Sequence, residues 1–372
     1  MPQDTADHDP HPAAKAAAAD PDATNVDLAK LRHHGDVETR AGMVDFAVNV
    51  QGSGPPEWLR ERLAGRLAEL GRYPDAGEER AAREAVAARH GRRAEEVLLL
   101  AGVAEGFAML PRLTAGIEAE PRRVAAVIHP SFTEPELALR EAGVPVVRVV
   151  LEAPYLLESA VVPEEADLVV VGNPTNPTSV LHPAESILGL RRAGRIVVVD
   201  EAFADAVPGE AESLAGVSYP DVLVFRSLTK TWALAGLRCG YVLGDPEVLA
   251  RLNHGRAHWP LGTLQLEAIA ATAEPEAVAE SQRKAEAIAA DREAMIPRLR
   301  ELGVEVHEPA RGPFLLIRVP DAELLRKRLA DKGIAVRRGD TFPGLGAGFL
   351  RLAVRPAAEV DRLVAAIREV GL

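Results

Sequence analysis

Short apolar runs recur along the chain, separated by stretches whose apolar residues return with the period of a helix. The runs are VLLLA (97–101), VAAVI (124–128), VPVVRVV (144–150), LVVVG (168–172), RIVVVD (195–200), VLVF (222–225) and GYVLG (240–244). Each is rich in Val, Ile or Leu and bounded by Gly, Pro or polar residues. Near-continuous apolar strands are buried on both faces, as in a mostly parallel sheet covered by helices. Between the runs, EERAAREAVAARHG (78–91), with Gly91 as its stop, and PELALREAG (135–143) predict crossover helices. The pattern predicts an α/β fold with a mostly parallel sheet of about seven strands between helices.

After residue 262 the pattern changes. An Ala- and Glu-rich helical stretch (264–303) leads into GPFLLIRVP (312–320), a helix over 321–333, two further apolar runs and a last helix over 359–371. This predicts a smaller C-terminal α+β domain. The expected division is a disordered tail (1–25), an N-terminal arm (26–55), a large domain (56–262) and a small domain (263–372).

Composition narrows the classes. A chain of 372 residues with 47% hydrophobic and 26% charged residues fits a folded two-lobed protein. Its net charge of −12 disfavours nucleic acid and anionic membrane as partners, so an anionic small substrate needs a local arginine patch. The single cysteine, Cys239, rules out an internal disulfide and fits a cytoplasmic setting. The apolar runs are too short to span a bilayer, and the Ala/Asp/Pro-rich start, with His8 and His11, lacks the form of a secretory signal. No Gly-x-Gly-x-x-Gly follows the first strand, and the His254-x-x-x-His258 pair in HGRAH (254–258) has no acidic partner at ligand spacing, which argues against a dinucleotide-binding or metal enzyme.

Polar residues interrupt consecutive strand ends. Asn173 follows LVVVG in NPTNPTS, Asp200 ends RIVVVD, and Ser227 and Lys230 follow VLVF in RSLTK. A lone lysine is ordinarily a solvated surface residue, and a lone aspartate at a strand end is ordinarily a helix cap. Three neighbouring strands delivering such groups to one edge define a candidate site, because ligands of open α/β sheets bind beyond the carboxyl ends of the strands.

At SLTKTWALAGLRCG (227–240) the sequence resembles the fold-type I pyridoxal-phosphate enzymes of the aminotransferase class I/II group, over nearly the whole chain after the tail. The resemblance implies pyridoxal 5'-phosphate as cofactor, with Lys230 condensing with its aldehyde and Asp200 keeping the ring nitrogen protonated. It further implies Asn173 at the ring hydroxyl and Phe132 against the ring face. For the cofactor phosphate it implies the Val103 and Ala104 amides at a helix N-terminus, with Ser227 and Arg238. Arg351 and Arg337 would hold a small anionic amino-acid substrate by bidentate hydrogen bonds, with His34 assisting. Tyr73 would reach the partner's site in a homodimer.

Within that group RHHGDVE (32–38), DFAVNVQGSGPP (45–56), RYPDAGE (72–78), DEAFAD (200–205) and RSLTK are together similar to L-threonine-O-3-phosphate decarboxylases. This implies decarboxylation of L-threonine O-3-phosphate to (R)-1-aminopropan-2-yl phosphate in cobalamin biosynthesis. The alternative is an aminotransferase of the histidinol-phosphate type; that group usually carries Tyr where this chain has Phe203 and lacks the His-Gly segment. Three departures from relatives line the approach to the cofactor: Ser179 where many carry Gly, Pro313 where Asn is frequent, and Pro135 where an aromatic often stands.

Overall fold

A computed structural model describes residues 28–114 and 123–372; the expected tail, with His8 and His11, lies outside the described residues. A short strand β1 (Val44–Asp45) in the arm precedes seven strands: β2 (Val97–Leu100), β3 (Val124–His129), β4 (Val146–Val150), β5 (Ala166–Gly172), β6 (Ile196–Asp200), β7 (Val222–Ser227) and β8 (Gly240–Leu243). They form one sheet in the order β2-β8-β7-β6-β5-β3-β4. β3 to β7 are mutually parallel, and β8 runs antiparallel to both of its neighbours. The side-chain alternation explains the continuous apolar runs. Val197 and Val199 of β6 enter one core, while Ile196 and Val198 enter the core on the opposite face.

The helix Ala76–His90 begins two residues ahead of the expected 78, because Asp75 caps it. The Asp75 carboxylate accepts from Gly77 and Glu78 amides, the Glu78 carboxylate accepts from the Asp75 amide, and Gly91 closes the helix at φ 63°. The expected helical stretch 264–303 is two helices, Thr263–Thr272 and Pro275–Arg300. Pro275 lacks an N–H and its fixed φ suits the first turn, so it ends one helix and begins the next.

The small lobe is built on an antiparallel sheet of β9 (Glu305–Val306), β10 (Phe314–Arg318), β12 (Arg337–Arg338) and β13 (Phe349–Ala353), while β11 (Ile334–Ala335) pairs with β1 of the arm. Its core gathers Leu315, Ile317, Leu350 and Leu352 with the helices Ala322–Asp331 and Ala357–Val370. The change of core falls within the helix Pro275–Arg300 rather than at 262. Leu266, Ala268, Ile269 and Ala277 pack into the large lobe, whereas Ile288, Met295 and Leu299 pack into the small one. The arm joins the lobes: Val44 and Phe46 enter the small-lobe core, and the Gln51 amide donates to the Lys230 carbonyl at 2.9 Å. No helix among the described residues is long and apolar enough to cross a membrane.

Candidate active site

Because β5, β6 and β7 are parallel, their carboxyl ends share one edge, and Asp200 stands opposite Gly172 on one side and Phe225 on the other. A cavity of about 340 Å³ opens over this edge, roofed by the arm and the small lobe. Of the residues singled out by sequence, His34, Val103, Ala104, Phe132, Asp200, Ser227, Lys230, Arg238, Arg337 and Arg351 all line it.

Lys230 and Asp200 face each other electrostatically. Burial, with Arg351 and Arg238 nearby, pushes the Lys230 amine down to about 8. Burial pushes the Asp200 carboxyl up to about 6, against the Ala202 amide and the Lys230 charge, which favour the carboxylate. Among the described residues Asp200 accepts only the Ala202 amide, at 3.0 Å on one oxygen, which leaves the other carboxylate oxygen for a partner in the cavity.

At the far end of the cavity stand Arg337 and Arg351, cross-strand neighbours on β12 and β13. β13 places Leu350 and Leu352 in the small-lobe core, which turns Arg351 to the opposite side. Arg351 donates to the Asn176 Oδ1 at 2.8 Å and to the Ala47 carbonyl, while Arg337 donates to the His33 carbonyl at 2.6 Å. Among the described residues neither arginine forms an ion pair, and Arg337 Nη1 and Arg351 Nε are buried without a partner. Burial lowers Arg351 to about 9, with Arg337 adding repulsion, and burial lowers Arg337 to about 10. Two buried, unneutralised guanidinium groups favour an anion strongly. His34 sits beside them, bonded to Glu134 and tilted against the Phe132 ring at 5.5 Å.

The near end is built at a helix start. Gly102 (φ 81°) turns the chain from β2 into the helix Val103–Met109, and a Cβ on it would come within 2.9 Å of the Arg238 guanidinium. Val103, Ala104, Ser227 and Arg238 therefore surround one space at a helix start.

One sequence assignment needs relocating. Asn173 does not line the cavity. Its Oδ1 accepts the His182 amide at 2.8 Å and its Nδ2 donates to the His182 carbonyl at 3.1 Å, so the side chain closes the 173–182 loop. That loop instead delivers Asn176, the second Asn-Pro unit, to the cavity. The repeated Asn-Pro was the available signal, and proximity to the strand end pointed to the wrong copy. Tyr73 lies outside the cavity, 71% exposed and stacked on Trp259 at 4.5 Å. Asp36, Asn49 and Phe342 also line the cavity and carried no sequence signal, since the arm and small lobe bring them there only through the tertiary fold, while Thr229 lines it from within the RSLTK motif.

A half-buried acid and amine on one strand edge, an arginine at a helix start at one end and unneutralised arginines at the other fit a phosphorylated aldehyde cofactor with an anionic substrate. The aminotransferase class I and II family profile matches residues 41–367, and the chain belongs to that family. Members of this family work with pyridoxal 5'-phosphate, and this chain is a pyridoxal-phosphate-dependent enzyme. A histidinol-phosphate aminotransferase of Mycobacterium tuberculosis is 58% identical over 342 residues, 92% of this chain and 91% of the relative. The histidinol-phosphate aminotransferase of Sinorhizobium meliloti, solved with pyridoxal-5'-phosphate, superposes with a TM-score of 0.76 at 23% identity, covering 93% of this chain and 97% of that one. The L-threonine-O-3-phosphate decarboxylase of Porphyromonas gingivalis superposes with a TM-score of 0.75 at 21% identity, covering 88% and 99%.

The fold alone therefore does not separate these activities, and the finding that bears on the choice is the 58% identity to a histidinol-phosphate aminotransferase over nearly the whole chain. It overturns the expected threonine-phosphate decarboxylase and its place in cobalamin biosynthesis. That expectation leaned on Phe203 and the His-Gly segment. Phe203 packs edge-on against Phe314 at 5.0 Å and presents no polar group to the cavity, so it carries little information about the reaction.

Proposed function

We propose that this enzyme is an aminotransferase of the histidinol-phosphate type, moving an amino group between a phosphorylated amine and a 2-oxo acid. The observation that carries the reading is the pair of buried arginines without a carboxylate partner, alongside 58% identity to histidinol-phosphate aminotransferases. One anion site suits both half-reactions, because guanidinium groups bind phosphate and carboxylate with similar geometry.

Pyridoxal phosphate, when bound, supplies an aldehyde that takes up the amino group and a ring that draws electrons from the substrate carbon. The chain's residues do the rest. Lys230, lowered to about 8, is partly uncharged near neutral pH, and so serves as the amine that holds the cofactor and as the base that moves the proton at the substrate carbon. Asp200 would hold the proton at the ring nitrogen, and a cationic partner there would return its carboxyl to the charged form. Asn176, in place of Asn173, would hold the ring hydroxyl, and Phe132 would cover a ring face. Val103, Ala104, Ser227 and Arg238 bind the cofactor phosphate. Arg351 and Arg337, with His34, orient the substrate anion so that the C–H bond meets Lys230; such positioning contributes ~7–11 kcal/mol. Tyr73, exposed on this chain, reaches the second site of a homodimer.

The test is a steady-state assay with histidinol phosphate and 2-oxoglutarate. Formation of glutamate in step with loss of histidinol phosphate supports the reading. No glutamate, with carbon dioxide released from a phosphorylated amino acid instead, contradicts it.

A further inference from the structure

Ser179 ends the Asn-Pro loop at φ 66°, a left-handed conformation that a residue with a side chain adopts at a cost. Its side chain is fully buried, and its Oγ accepts the Gly312 amide at 2.8 Å across the lobe boundary. Its carbonyl accepts the Arg311 amide at 2.7 Å. From the other side the buried Arg292, on the long helix, donates to the carbonyls of Arg311 at 3.0 Å and Gly312 at 3.4 Å. The 311–312 turn is thus held by a large-lobe loop through its amides and by a small-lobe side chain through its carbonyls.

Both ends of this seam lead to the anion site. On the loop, the Ser179 amide donates to the Thr175 carbonyl at 2.7 Å and the Thr175 amide to the Val180 carbonyl at 2.8 Å, so residue 179 and Asn176 move together. On the small lobe, the Pro313 carbonyl accepts the Val354 amide at 2.9 Å, which ties the turn to the end of β13, the strand of Arg351. Asn176 and Arg351 then meet at 2.8 Å. A Cβ on Gly312 would lie 3.1 Å from the Ser179 Oγ, so the hydroxyl fits against a bare backbone.

We propose that Ser179 is a positioning residue: its hydroxyl bond to Gly312 fixes the lobes in the arrangement that presents Asn176 and Arg351 to the substrate anion. It touches neither substrate nor cofactor, and it acts on binding rather than on proton transfer. The inference rests on the reading of Arg351 as the anion binder, and the experiment separates the two.

Inorganic phosphate is titrated calorimetrically into the holoenzyme, with Arg351→Ala as reference and Ser179→Ala and Ser179→Gly as tests. The glycine variant also removes the backbone strain, so it remains informative if the alanine variant folds poorly. Kd for phosphate and KM for both substrates should rise about tenfold in both Ser179 variants, the scale of one buried hydrogen bond, with kcat within about twofold. Hydrogen exchange of the Gly312 amide should accelerate while that of β5 to β7 is unchanged. If Arg351→Ala binds phosphate like the native enzyme, the anion-site reading fails. If Arg351→Ala loses phosphate but the Ser179 variants keep native Kd, KM and Gly312 exchange, or lose kcat alone, the positioning role is overturned.

Discussion

Asp200 is kept in an environment that suits it only when a positive partner is present. Its folded value of about 6 lies above the ordinary aspartate value of about 3.9. Between those values the folded chain holds a proton that the unfolded chain has released. Stability from this group is therefore complete below about pH 3.9 and is lost as pH rises through about 6, at a cost on the order of 3 kcal/mol. Asp200→Asn should consequently raise the melting temperature of the cofactor-stripped protein at pH 8 by about 5 °C, while lowering kcat by about 10²-fold or more. A calorimetric scan at pH 4 and pH 8 checks the sign: the gain should be present at pH 8 and nearly absent at pH 4. Lys230→Ala should lose about 10²–10⁴-fold in rate from the missing base alone, with intact far-UV dichroism. Residue-scale chemistry was legible in sequence where a strand end fixes direction, as for Asp200 and Ser227. It misled at Asn173, because a side chain's partners across a loop, here the His182 peptide groups, are decided by tertiary closure.

At the scale of elements, parallel strands with alternate faces in two cores explain why the sheet could be read from apolar runs alone. The elements that escaped the reading are those whose limits depend on single groups: the Asp75 cap and the Pro275 break. The arm could not be read as a pair for β11, because β1 is two residues long and its pairing is non-local. β13 carries the clearest structural demand, since one face fills the small-lobe core and the other presents Arg351. Leu352→Ala should cost about 2–5 kcal/mol in urea denaturation, and weaken substrate binding more than it slows turnover. Arg351→Lys keeps the charge but loses the fork of donors, and its KM should rise by roughly 10–100-fold, as expected for losing a hydrogen bond to a charged group.

At the scale of the molecule, a chain of net charge −12 concentrates three arginines, the buried Arg337 and Arg351 and the exposed Arg238, around one cavity. Attraction of anions is therefore a property of the site and not of the surface. Tyr73 and Trp259, stacked at 4.5 Å and exposed at 71% and 59%, form an aromatic patch suited to a second copy. Light scattering should give about twice the chain mass, and Tyr73→Ala should weaken cofactor retention in both copies. The central claim is that Lys230 and the paired arginines move an amino group and not a carboxylate. A single-turnover experiment tests it most directly: the holoenzyme is mixed with excess histidinol phosphate without any 2-oxo acid, and the released cofactor is identified by mass spectrometry. Pyridoxamine phosphate in a one-to-one ratio with the oxo product is the expected result. Cofactor recovered only as pyridoxal phosphate, with no oxo product formed, would contradict it.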